Sequence, residues 1–224
     1  MEKTSVFNLI ILDASGSMSG VTAETISGCN ETIATARRSQ EEHADAQRSF
    51  LSIFTFDSDM EHSRYIVKNA PIEKVRDITS RDYRPGGMTP LLDAVGTTLS
   101  EALDVAATHT DALGIVTIIT DGYENSSHTY DYARVARLID KAKELGWIVN
   151  LIGAEIDVVA EAGKLHIDNH MSYTRDSKGT VDCFACFNDC IVSESQKRYA
   201  EERNLSIDER KKRRRNAGKD FFKH

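Results

Sequence analysis

VFNLIILDASGSM, residues 6–18, decides how the rest of the chain is read. Its first seven residues, Val6 to Leu12, are apolar apart from Asn8. The run is too short and too continuous for one face of a surface helix, so it predicts a strand buried on both sides. Asp13, Ser15 and Ser17 follow at alternate positions, with Gly16 allowing a tight turn. A buried parallel strand delivers such side chains to the carboxyl edge of a sheet, where open α/β folds bind ligands. The spacing Asp-x-Ser-x-Ser suits a hard divalent cation, because Mg²⁺ takes oxygen ligands and usually keeps several waters. Taken singly, each of these residues also serves as the N-cap of a following helix.

Outward from this stretch, apolar runs and helical periodicities alternate. A helix is predicted from Gly20 to about Gln47, with Ile26, Cys29, Ile33 and Ala36 on its apolar face. Phe50 to Phe56 is a second strand. Asp57, Ser58 and Asp59 after it read as a solvated acidic turn, or else as a further approach to the Asp13 edge. Ser63 to Val67 is a weaker third strand near the sheet edge, and Pro71 opens a short helical or irregular stretch towards Tyr83. Pro85, Gly86 and Gly87 mark a loop. Thr89 is placed as an N-cap and Pro90 as the first helical residue of a helix running to about Ala107. Leu113 to Thr120 is another buried strand that ends in an acid, Asp121, followed by Gly122. Beyond it come a helix (about Tyr130 to Leu145), a strand (Trp147 to Ile152), a short helix (Val158 to Lys164), a strand (His170 to Thr174) and a helix from Val181 to about Asn204.

Strands alternating with helices predict a doubly wound α/β fold with a mainly parallel, six-stranded, Rossmann-like sheet. In the order 3-2-1-4-5-6 the first and fourth strands are neighbours, so Asp13 and Asp121 close the two strands that flank the ligand-binding crevice. Thr89 lies in the connection leading into the fourth strand. Residues 1–180 are read as this domain and 181–224 as a helical extension with a basic tail.

The chain has 224 residues, 40% hydrophobic and 28% charged, values typical of a globular protein. No apolar run is long enough to cross a bilayer, and MEKTSV lacks the core of a signal peptide, so a cytoplasmic protein without a membrane role is expected. In that compartment Cys29, Cys183, Cys186 and Cys190 are expected as free thiols. Residues 210–224 hold eight cations against Asp220 alone, a net of +7; since the whole chain carries −7, the remainder carries −14.

Three motifs together resemble a known family. Asp13-Ala14-Ser15-Gly16-Ser17-Met18, Gly87-Met88-Thr89-Pro90 and Thr120-Asp121-Gly122 resemble the three-part metal-ion-dependent adhesion site (MIDAS) of von Willebrand factor A domains, over roughly residues 4–175. The runs GGMTPLLDAVG, TDGYENSS and WIVNLIGAEID look like the stand-alone von Willebrand A proteins of bacteria and phages. The resemblance implies that Ser15, Ser17 and Thr89 ligate Mg²⁺ (or Mn²⁺ or Ca²⁺), with Asp13 and Asp121 close by, holding metal-bound waters. A divalent ion whose direct protein ligands are mostly neutral keeps much of its charge and favours a carboxylate from outside. The implied function is metal-dependent binding of a protein partner that supplies an Asp or Glu.

Other signals carry competing readings. Cys183, Cys186 and Cys190 at steps of three and four are expected on one packed helical face with Phe187 and Ile191; the alternative is a zinc site completed by His166 or His170. Ser206 to Glu209 matches a capping box, so a last helix is expected from Ser206 to near Gly218. The cations of 210–215 suit nucleic acid or an acidic protein, a solvated tail, or a segment folded back on the acidic body. A nucleic-acid-associated adaptor is thus an alternative function. Neither a P-loop nor a Gly-x-Ser-x-Gly elbow is present, and the histidines are scattered, so an enzyme is not expected. A metal-dependent phosphohydrolase is the alternative from that class.

Overall fold

A computed structural model of the chain describes residues 2–215 and 220–222. The apolar run at Val6 becomes the centre of strand β1 (Thr4–Asp13), which lies between β2 (Gln47–Asp57) and β4 (Ala112–Thr120), parallel to both. The sheet continues through β5 (Ile148–Gly153) to β6 (Asn169–Ser172) on one side and to β3 (Asp59–Pro71) on the other, giving the order 3-2-1-4-5-6. Every neighbouring pair is parallel except β2 with β3. A strand enclosed on both faces has no polar side to spare, which is why β1 and β4 read as near-continuous apolar runs.

Alternation along β1 divides the core in two. Val6, Ile10 and Leu12 pack under α1 (Thr22–Glu42) and α5 (Ser177–Glu202), together with Cys29, Ile33, Phe184 and Phe187. Phe7, Leu9 and Ile11 pack on the other side under α2 (Leu91–Ala106), α3 (Tyr132–Glu144) and α4 (Val158–Lys164). Helices α1 and α5 approach so closely that a Cβ on Gly28 would overlap the Phe184 ring.

Several boundaries differ from the sequence reading. The first helix is preceded by a 3-10 turn over Gly16–Val21 and ends at Glu42, not Gln47, because Gln47 already pairs with Thr4 as the start of β2. The third strand is not a five-residue piece but spans Asp59–Pro71, with register shifts against β2 that suit an edge. The segment Asp57-Ser58-Asp59 is no solvated turn. It is a tight hairpin link, half-buried, with Ser58 at φ 50° and its N–H donating to Met88 O at 3.1 Å.

Thr89 is not the cap of α2. Pro90 occupies that position, and the exposed N–H groups of the first turn are met from another loop: Glu124 Oε2 accepts from Leu92 N (2.8 Å) and Ser127 Oγ from Asp93 N (2.9 Å). The three cysteines do lie along one side of α5, where Cys186 is in reach of Cys183 and Cys190, but only Cys183 and Cys190 are packed and Cys186 is exposed. Burial pushes the Cys183 thiol up to about 12. His166, one candidate fourth ligand, pairs instead with Asp140.

The capping box forms at the start of α6 (Ile207–Arg214), where Ser206 N donates to Glu209 Oε2 at 2.8 Å. The expected end near Gly218, and Lys219, Lys223 and His224, lie outside the described residues. Two cations of the tail turn inward. Arg210 and Arg214 are 3% and 5% exposed, and both donate to Asp111, at 3.1 and 2.6 Å. Arg214 also pairs with Glu202 and donates to Thr4 Oγ1. The tail therefore folds back on the acidic body, and two of its six cations at 210–215 are not presented to solvent. Among the described residues no helix is long and apolar enough to cross a membrane.

Candidate functional site

The parallel register of β1 and β4 brings their carboxyl ends level, with Leu12 opposite Ile119. Asp13 and the Thr120-Asp121 pair thus leave the sheet side by side. Asp13 is fully buried, and its two carboxylate oxygens are divided between the two strand ends. Oδ1 accepts from Ser15 N at 2.7 Å, an Asx turn that fixes the following loop, and Oδ2 accepts from the Thr120 hydroxyl at 2.6 Å. Burial pushes the Asp13 carboxyl up to about 6; hydrogen bonds from Thr120 and Ser15 oppose that rise, and the neighbouring Asp121 charge adds to it.

The Asx turn aims the two serines at Asp121. Ser15 Oγ and Ser17 Oγ lie 3.0 Å apart, and Ser17 Oγ donates to Asp121 Oδ1 at 2.5 Å. The loop before α2 closes over them, with Gly86 N donating to Ala14 O (2.7 Å) and Gly16 N to Gly87 O (3.2 Å). Gly87 has φ +70°, and a Cβ there would overlap Ser58 Oγ and Asp57 Oδ1, so glycine is required for the loop to pass the β2–β3 hairpin.

Thr89 is held from the Asp121 side. Its N–H donates to Asn125 Oδ1 (2.8 Å) and its carbonyl accepts from Asn125 N (3.2 Å), which sets it against Gly122. A Cβ on Gly122 would lie 3.2 Å from Thr89 Oγ1. Because α2 is capped by Glu124 and Ser127, the Thr89 hydroxyl is not spent on the helix. All five residues singled out in the sequence, Asp13, Ser15, Ser17, Thr89 and Asp121, therefore meet at one edge.

Their donors are oxygen only: three hydroxyls and two carboxylates. Such a set fits a hard cation such as Mg²⁺ and offers nothing to a soft one. Among the described residues no three His, Cys, Asp or Glu side chains converge as a metal cluster, so any ion here depends on the hydroxyls. The histidine rings with hydrogen-bond partners find them elsewhere: Ser39 and Ser195 for His43, Asp59 for His62, Ser5 for His109 and Asp140 for His166.

Two features of the edge were not picked out in the sequence. Arg175, in the loop between β6 and α5, donates from Nη1 to Asp121 Oδ2 (3.1 Å) and to Ser17 O (3.2 Å). Its position just past the last strand was the available signal. The second is an apolar rim. Met88, next to Thr89, and Tyr123, two residues after Asp121, are 50% and 49% exposed, and Val159, at the start of α4, is 66% exposed. The Tyr123 hydroxyl accepts from Asp157 N at 2.8 Å, which joins the Asp121 loop to the entry of α4.

No family model matches the chain, and no curated protein matches it either. Solved structures do. A von Willebrand factor type A protein from Catenulispora acidiphila is 18% identical over 84% of this chain and 43% of its own, with a TM-score of 0.56. The manganese-loaded TRAP protein of Plasmodium vivax is 16% identical over 81% of this chain and 72% of its own (TM-score 0.51). Proximal thread matrix protein 1 from the mussel byssus, solved with a zinc-occupied MIDAS motif, is 12% identical over 87% of this chain and 48% of its own (TM-score 0.55). This chain thus spans less than half the length of the first and third of these structures. At such identities the likeness establishes the fold, which is von Willebrand factor A-like.

Proposed function

We propose that this von Willebrand factor A-like fold serves as a divalent-metal-dependent protein-binding module. Ser15, Ser17 and Thr89 would hold Mg²⁺ (or Mn²⁺ or Ca²⁺) through their hydroxyls, with Asp13 and Asp121 beside them. When bound, the ion supplies an electropositive point that a partner's Asp or Glu carboxylate can complete. The observation that carries this reading is the convergence of five oxygen-bearing side chains from three separated segments on one sheet edge. The TRAP structure is manganese-loaded and the byssus protein carries zinc in its MIDAS motif, which supports a divalent ion as the ligand.

This chain's own residues do the rest of the work. Buried Asp13 ties the loops of β1 and β4 together, Gly87 lets the third loop close, and Asn125 orients Thr89. Met88, Tyr123 and Val159 form an exposed apolar rim, as protein-binding surfaces commonly do, so the partner's acid is expected to sit among apolar side chains.

A pull-down from the host's lysate in Mg²⁺ and in EDTA, with Ser15→Ala beside the wild type, tests the proposal. A partner held by the wild type in Mg²⁺ alone supports it. A partner held equally in every lane refutes it and points to another surface.

A further inference from the structure

Both carboxylate oxygens of Asp121 are already engaged. Its side chain is closed to solvent, Oδ1 accepts from the Ser17 hydroxyl, and Oδ2 accepts from Arg175. The same Arg175 nitrogen also bonds to the backbone carbonyl of Ser17, so the guanidinium straddles two of the three segments of the site. Arg175 itself is 34% exposed and stands in a connecting loop, not within a helix or strand. A positive charge therefore already sits against one of the two carboxylates of this edge.

We propose that Arg175 is a built-in counter-cation of this edge, which neutralises Asp121 in the metal-free protein and sets the affinity for a divalent ion by competing with it. The inference rests on the metal-binding reading given above. Two like charges drawn to one buried carboxylate repel strongly, because little water intervenes to screen them. A guanidinium that donates to a carboxylate and a carbonyl at once resists displacement more than a lone point charge would. Its partial exposure gives the side chain a route outward when the ion enters. The loop thus sets a threshold concentration of metal below which the site stays closed by its own arginine.

The test uses the full chain and Mn²⁺ alone as probe, with unbound Mn²⁺ read by electron paramagnetic resonance at low ionic strength. Arg175→Gln removes the charge, and Arg175→Lys keeps the charge without the fork. Arg175→Gln is expected to bind Mn²⁺ about tenfold more tightly than wild type, with Arg175→Lys in between. Binding by Arg175→Gln with none by the wild type would be the same effect in its strongest form. Equal or weaker binding by Arg175→Gln, while the wild type binds, overturns the inference and leaves the metal-binding reading standing. Absence of binding in every variant overturns both. Ser15→Ala in either background should abolish binding; if it does not, the ion sits elsewhere and both fail. Should Arg175→Gln not fold, Arg175→Lys decides, and binding no tighter than wild type refutes the competition.

Discussion

Asp13→Asn is expected to stabilise the metal-free protein at neutral pH while abolishing metal binding. The Asp13 carboxyl is fully buried and moves from 3.8 to about 6 on folding, chiefly through that burial. The folded state therefore holds the proton more tightly than the unfolded chain does. Wild-type stability falls as pH rises from about 4 to about 6 and stays reduced above, by about 3 kcal/mol in all. Asparagine carries no such cost. It offers one acceptor oxygen where the carboxylate offers two, to Ser15 N and to the Thr120 hydroxyl, and the weaker match returns about 1 kcal/mol. The net gain is about 2 kcal/mol at pH 7.5, or about 4–8 °C in Tm for a domain of this size. Urea and thermal melts of both proteins in EDTA, at pH 7.5 and pH 4, measure it. The gain should vanish at pH 4, where the wild-type carboxyl is protonated when folded. A variant less stable at pH 7.5, or a gain unchanged at pH 4, would refute the reasoning.

Asp111→Ala is expected to cost about 3–5 kcal/mol in urea melts, because it strips a buried carboxylate from two buried guanidiniums. Burial opposes the charge on Asp111, yet Arg214, Thr4 and Arg210 hold its carboxyl below the ordinary value. Its contribution is therefore present above about pH 4 and lost as pH falls further, so the gap between variant and wild type should narrow in acid. Gly28→Ala forces a methyl into the Phe184 ring and is expected to cost about 1–3 kcal/mol, read as a lowered urea midpoint at unchanged slope. Glu124→Ala leaves Leu92, Ser126 and Ser127 N–H groups without their acceptor and is expected to lower stability by about 1–2 kcal/mol. Because that loop also carries Asn125, which grips Thr89, the same variant should weaken Mn²⁺ binding, measured as above.

The sheet was legible because both faces of β1 and β4 are covered, and full burial writes itself as an unbroken apolar run. The convergence of Asp13 and Asp121 followed from strand order alone. Side chains that act across loops were harder to read. Thr89 beside Pro90 is indistinguishable by local pattern from a helix cap, and only the placement of Glu124, more than thirty residues on, releases it from that role. Asp57-Ser58 looked like a solvated turn because its neighbour, Gly87, is distant in sequence. Arg175 carries no periodicity at all: a single cation in a loop acquires meaning only from what the fold puts opposite it. The cysteines illustrate the converse error, since steps of three and four do not separate adjacent faces finely enough to tell exposed Cys186 from buried Phe187.

Arg210 and Arg214 join the last described helix to Thr4, the first residue of the first strand. This is among the longest loop closures the chain contains, and contacts of such sequence separation form late because the intervening chain must be ordered first. During synthesis the sheet can assemble while Asp111 has the Thr4 hydroxyl as a partner but not yet the cations of the later helix. This helix thus acts as a clasp. The domain reaches its full stability only when this helix closes onto the strand that holds Thr4.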